Sequence, residues 1–201
     1  MKKSILKNTL ILVAITLAAA LCLAVVYAVT KNRIAEAVEK ERIDSYHAVF
    51  EQMADHTPLS DDIITKWNEE RKGGADIVTA SFAKDADGKI IGIVVSAVSH
   101  DGYGGDITLS VGVDIDGVIT GMKVTAMSET SGLGAEWQKE ENSSKFKGKK
   151  SAGLKVTKTG AKADDEIDAV SGATKSSNAV VSAVNEGYEF AVSQLRGDNV
   201  G

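Results

Sequence analysis

The chain has 201 residues, 43% of them hydrophobic and 25% charged, with a net charge of −5. That length holds one membrane anchor and one domain with a real core, and the acidic balance gives no reason to expect a nucleic-acid partner. The single cysteine, Cys22, excludes an intrachain disulfide and an iron–sulfur centre ligated by this chain alone, and the three histidines (His47, His56, His100) lack metal-ligand spacing.

Residues 1–8 form a short basic N-terminus, and Thr9 to Thr30 carry no charge. A helix needs about 20 such residues to cross a bilayer. Lys2, Lys3 and Lys7 precede the run, while Lys31 and Arg33 behind it are soon diluted by Glu36, Glu39 and Glu41. The positive-inside rule therefore favours a single-pass protein in the cell membrane, its N-terminus cytoplasmic and its main domain extracytoplasmic. A cleaved signal peptide is the alternative. The apolar run is long for that, Ala-x-Ala occurs only inside it, and the large Leu21 before Cys22 argues against a lipoprotein site. The reading adopted is an uncleaved anchor.

From Ile34 to about Met53 the apolar residues recur at helical spacing, either continuing the membrane helix or docking on the domain. Thr57-Pro58 is expected to break that helix. A second helix is expected from Ser60 to about Glu70, with Ser60 as N-cap, and Gly73-Gly74 ends it. Residues 31–75 thus read as a helical linker region and 76–201 as the functional domain.

An internal repeat follows, its copies beginning at Asp87-Gly88 and Asp116-Gly117. Each copy reads as a strand, an Asp-Gly turn and a returning strand. The entering strands are expected near Ile77–Lys84 and Ile107–Ile115. Each hairpin ends in a glycine-bearing loop, His100 to Gly105 and Glu129 to Gly134, with Gly105 and Gly134 at the same repeat position. Matched loops at the same ends of paired hairpins can flank one cleft, although either loop alone reads as a simple turn. Residues 135–150 suggest a helix and a loop. Residues 139–162 hold eight lysines, read as a solvated face in preference to a docking surface for an acidic partner. Short strands are expected at 153–157 and 166–170, then an amphipathic helix from Lys175 to Leu195. The fold class is α+β: an N-terminal transmembrane helix, then antiparallel β-hairpins with flanking helices.

The run Asp168-Ala169-Val170-Ser171-Gly172-Ala173-Thr174, followed by Lys175-Ser176-Ser177, precedes that last helix. Ser171 or Thr174 can simply cap it. The same residues also suit a phosphate, because the first helical N–H groups have no intrahelical partner and Gly172 lets the backbone approach closely. Lys175 and the hydroxyls of Ser171, Ser176 and Ser177 can add contacts.

Gly-Tyr-Gly-Gly at 102–105, Val-Gly-Val-Asp at 111–114, Glu-Thr-Ser-Gly-Leu-Gly at 129–134, Phe-Lys-Gly-Lys at 146–149 and Ile-Asp-Ala-Val-Ser-Gly-Ala-Thr at 167–174 occur in this order. In that set the chain resembles RnfG, the FMN-binding subunit of Rnf electron-transport complexes, and is similar to NqrC of the sodium-pumping NADH:quinone reductase. The short length favours the first. The resemblance implies FMN joined through its phosphate to Thr174 by a separate flavin transferase that uses FAD and magnesium and reads Asp168, Ser171, Gly172 and Ala173. It places the isoalloxazine ring near Tyr103 and Gly104 of one loop and Glu129, Thr130, Gly132, Leu133 and Gly134 of the other. Tyr103, Trp67 and Trp137 are candidates to pack on the ring. Ser131 stands where the family usually has proline, and Lys175 where an apolar or small residue is common. The implied function is an electron relay between neighbouring subunits of a membrane complex that couples electron transfer between ferredoxin and NAD to ion transport, without catalytic residues in this chain. The rival is a membrane-tethered binding or scaffold module with no redox centre.

Overall fold

A computed structural model describes residues 2–71 and 73–197 and divides the chain into two compact units, Met1–Arg42 and Ile43–Gly201. The first unit is helical. It belongs to α1 (Lys2–Val49), and every side chain from Ile5 to Val29 is exposed. An apolar helix exposed along 25 successive residues suits a lipid environment, where the backbone is satisfied within the helix itself.

In the second unit a five-stranded antiparallel sheet runs in the order β1-β2-β3-β4-β5. Its strands are β1 (Asp55–Pro58), β2 (Ala75–Lys84), β3 (Ile90–Ser99), β4 (Ile107–Asp114) and β5 (Ile119–Met127). Both expected hairpins are present, as β2–β3 and β4–β5. Their turns use Gly88 and Gly117, at φ +79° and +73°. In each, the aspartate that starts the turn accepts two backbone N–H groups: Asp85 from Asp87 and Lys89, Asp114 from Asp116 and Val118. The fifth strand differs from expectation. Residues read as a helix break form β1, which pairs with β2 through Pro58↔Ser81. A proline belongs on such an edge, where no neighbour needs its missing N–H.

Side chains alternate between two buried faces, which is why β3 reads as an almost unbroken apolar run. On one face Val95, Ala97 and Val111 meet α4 (Thr174–Arg196), whose Gly187 lies so close that a Cβ would sit 2.7 Å from Val111 Cγ1. On the other face the last turns of α1 supply Tyr46 and Val49, joined by Phe50, Met53, Ala83 and Val94 in a separate apolar cluster. Gly92, Gly112 and Gly121 line that seat. A Cβ on Gly92 would lie 2.6 Å from Phe50 Cε2, and one on Gly121 3.1 Å from Val49 Cα. Two of these glycines, Gly92 and Gly121, are the recurring glycines of the sequence repeat, so the repeat records the packing of α1 as well as two turns. Thr120 Oγ1 donates to the Val49 carbonyl and ties off the helix end.

α2 (Asp61–Glu70) begins after Ser60, which occupies the N-cap position without a side-chain capping bond, and it stops at Glu70, before the glycine pair. Trp67 of α2 donates Nε1–H to Glu186 at 2.8 Å and meets Phe190 edge-on. The helix expected in the first part of 135–150, ahead of a loop, is instead three short turns: a 3-10 turn at Gly134–Gln138, α3 (Glu140–Ser143) and a second 3-10 turn at Ser144–Phe146. Lys139 is extended, at φ −78° and ψ 142°, and interrupts the first two. The kinked path lets both Trp137 and Phe146 reach the core, fully buried. β6 (Lys155–Thr157) and β7 (Glu166–Asp168) are shorter than expected and form a separate parallel pair.

Candidate functional site

Asp168 ends β7, and the chain leaves it through Ala169, whose N–H donates to the Thr157 carbonyl at 2.8 Å. A tight turn follows. Ala173 N–H donates to the Val170 carbonyl at 3.0 Å, with Gly172 at φ +75° inside the turn. That φ is accessible to glycine at little cost and strained for other residues. α4 then starts at Thr174.

Neither expected cap is used. Ala173 sits at the N-cap position, and no side chain caps the helix. Ser177 does the holding from inside instead. Its N–H and hydroxyl both point to the Ala173 carbonyl, at 2.9 and 2.8 Å. Its oxygen accepts Val170 N–H at 3.1 Å and Trp137 Nε1–H at 3.2 Å. Ser177 is fully buried. This corrects its expected role: its hydroxyl is a fastener for the turn and is not available to a ligand.

Thr174 is thereby placed at the first helical position, partly exposed. Among the described residues no hydrogen bond engages its hydroxyl. The N–H groups of Thr174, Lys175 and Ser176 precede the first intrahelical bond, Ser177 N–H to Ala173 O, and so face outward without a helical acceptor. Ser171, Gly172 and Lys175 are exposed around them, and Ala173 is buried. The helix end favours an anion, and the residues fit a phosphoester: an unengaged hydroxyl, donors beside it and a glycine that admits close approach.

Both glycine loops meet this helix end. Glu129 is the junction. Its Oε1 accepts Gly104 N–H at 3.0 Å, and its Oε2 accepts the Ser176 hydroxyl at 2.8 Å. A Cβ on Gly134 would lie 2.5 Å from Glu129 Oε2 and 2.6 Å from Ser176 Oγ, and one on Gly102 would lie 2.8 Å from Glu129 Oε1. The matched repeat glycines thus do different work. Gly105 is needed for its φ of +116°, Gly134 for lack of space. In the second loop Leu133 N–H donates to Thr130 O at 3.1 Å across a turn with Gly132 at φ +76°. The Leu133 side chain reaches Gly172, where a Cβ would be 3.0 Å from its Cδ2.

Tyr103 and Leu133, at the loop tips, are 73% and 41% exposed. Large apolar groups so exposed beside a helix N-terminus are available to a planar ligand. Trp137 is not, being wholly buried, and Trp67 is engaged by Arg71, 4.8 Å above its ring, and by Phe190. Those two expected ring-packing residues belong to the core. Sequence reasoning missed His100, at the root of the first loop. Its ring bridges Asp106 (2.9 Å) and Asp76 (3.3 Å), and those hydrogen bonds, Asp106 first, raise its pKa above the ordinary value. Asp76 is on the neighbouring strand, a partnership visible only once β2 and β3 are paired.

The FMN-binding domain family matches residues 102–189, a span that begins within the first glycine loop and contains the second loop and Thr174. The RnfG N-terminal region family matches residues 1–49. The G subunit of the ion-translocating oxidoreductase complex of Methanosarcina acetivorans is 31% identical over 192 residues, covering 96% of this chain and 97% of that protein. The protein of the same name from Vibrio cholerae is 29% identical over 197 residues, covering 94% and 91%. Among solved structures, Shewanella oneidensis NqrC superposes with a TM-score of 0.53 at 25% identity, over 74% of this chain and 73% of that one. The C subunit of the Na(+)-translocating NADH-quinone reductase of Parabacteroides distasonis shares the fold, with a TM-score of 0.56 at 24% identity over 74% and 81%.

Proposed function

Because this chain belongs to the family of G subunits of ion-translocating oxidoreductase complexes, we propose that its Thr174 carries FMN as a phosphoester. The protein is an FMN-carrying electron-transfer subunit of a membrane-bound ion-translocating complex of the Rnf type. FMN, when bound, supplies one- and two-electron redox chemistry. The chain's own residues hold it.

The observation that carries the attachment reading is the hydroxyl of Thr174 at the first position of α4, which no hydrogen bond engages among the described residues, beside an N-cap position filled by Ala173 without a side-chain cap. In maturation the Thr174 oxygen forms a bond to the riboflavin-side phosphorus of FAD. The bond from that phosphorus to the bridging oxygen breaks, AMP leaves, and the hydroxyl proton passes to a base of the transferase. Such a phosphodiester would carry one negative charge, which the N–H groups of Thr174, Lys175 and Ser176 at the helix end would favour. Ser171 and Lys175 lie open at its flank. Tyr103 and Leu133 offer apolar surface to the isoalloxazine ring, with Gly104, Thr130, Gly132 and Gly134 shaping the loops. Glu129, which sequence reasoning placed among the flavin contacts, already has both oxygens committed within the protein.

In this reading residues 9–30 span the membrane with the domain outside, and electrons pass to and from neighbouring subunits of a ferredoxin:NAD oxidoreductase. In-gel fluorescence after denaturation tests attachment. Co-expression with a flavin transferase should give a fluorescent band for the native chain and none for Thr174→Val. A dark band for the native chain beside a fluorescent positive control supports the scaffold alternative.

A further inference from the structure

The two glycine loops belong to different hairpins, and α4 belongs to neither. One side chain joins all three. Glu129 Oε1 takes Gly104 N–H from the first loop, and Oε2 takes the Ser176 hydroxyl from the first turn of α4, while its own backbone opens the second loop. Gly102 and Gly134 lack side chains where they press on this carboxylate, so the close approach is built in from both sides. The bond to Ser176, a residue 2% exposed, is part-buried, while the bond to Gly104 lies at the surface.

We propose that Glu129 is a positioning residue that clamps both glycine loops onto the helix end bearing Thr174 and so sets how tightly a flavin attached there is enclosed. This deepens the phosphoester reading and rests on it for the flavin itself. The clamp is a property of the bare chain. On that reading the transferase reads the run from Asp168 to Thr174, whose turn Ser177 and Trp137 hold through bonds that do not involve Glu129. The two functions are therefore separable by mutation.

Glu129→Gln and Glu129→Ala make the distinction. The Gln side chain keeps the shape. Its oxygen can accept Gly104 N–H while its amide donates to Ser176 Oγ, since a hydroxyl can reverse its role. Ala removes both bonds. The full chain in detergent is compared by hydrogen exchange before flavin attachment, and by iodide quenching of flavin fluorescence after attachment. Glu129→Ala should speed exchange in 101–105 and 130–134 at least about tenfold and make the flavin distinctly more quenchable. Glu129→Gln should restore both toward the native values, and all three chains should take up flavin to the same extent. Native exchange and quenching in Glu129→Ala would overturn the clamp, as would failure of Glu129→Gln to restore them. If the native chain takes up no flavin, the attachment reading fails instead, and the exchange comparison still decides the clamp.

Discussion

Ser177→Ala tests whether the attachment turn is held from within the core. The substitution removes one oxygen that serves two donors, Trp137 Nε1–H and Val170 N–H, and one bond to Ala173 O. Trp137 is fully buried, so its N–H has no route to water. An orphaned buried donor costs about 1–3 kcal/mol, which makes the change worth about 2–4 kcal/mol with the Val170 donor included. For a unit of this size that lowers the melting temperature by about 5–15 °C. Thermal unfolding of the full chain in detergent, followed by tryptophan fluorescence, measures it. The double mutant with Trp137→Phe sharpens the test, because removing the orphaned donor should recover about 1–2 kcal/mol relative to the sum of the single changes. A Ser177→Ala shift below about 2 °C, or strict additivity in the cycle, would mean that Ser177 does not hold the turn.

Ser131→Pro should stabilise the second loop by about 0.4–1 kcal/mol. Residue 131 precedes Gly132 at φ +76° in the Thr130–Leu133 turn, where proline pre-sets the backbone; a lower melting temperature would show that the turn has another shape. Gly112→Ala should destabilise by about 2–3 kcal/mol, since the new Cβ would overlap Thr120 Oγ1 and lie 2.7 Å from Val49 O; an unchanged denaturation midpoint would mean the end of α1 does not sit in that seat. His100 should titrate above its ordinary value of 6.5, because Asp106 and then Asp76 hold its protonated form. Its contribution to the first loop is therefore complete below pH 6.5 and fades as pH rises through the folded value. Imidazole NMR should show this, with Asp106→Asn moving the midpoint down; a native midpoint at or below 6.5 would contradict it.

The hairpins were legible in the sequence because Asp-Gly turns and strand alternation are local signals, repeated twice. The final helix was legible for the same reason, through its spaced valines. β1 was hidden by Pro58, which reads as a breaker and is tolerated only because the strand lies at an edge. The stretch 135–150, expected as a helix and a loop, breaks into short turns for a tertiary reason that no local signal carries: Trp137 and Phe146 both reach the core. At the site, the Asp168–Thr174 run and both loops were visible as motifs, but their joining was not. Gly104 and Ser176 lie 25 and 47 residues from Glu129, and only the folded chain brings the three together. Ser177 reads from the sequence as a candidate phosphate contact, and only its burial shows that it fastens the turn instead.

Intact mass and peptide mapping of the chain purified from its native host decide whether Thr174 carries the flavin. The expected mass is the polypeptide plus one FMN less one water, with the addition on the peptide containing Thr174 and absent from Thr174→Val. Bare polypeptide from the native host, or flavin on any other residue, would contradict it.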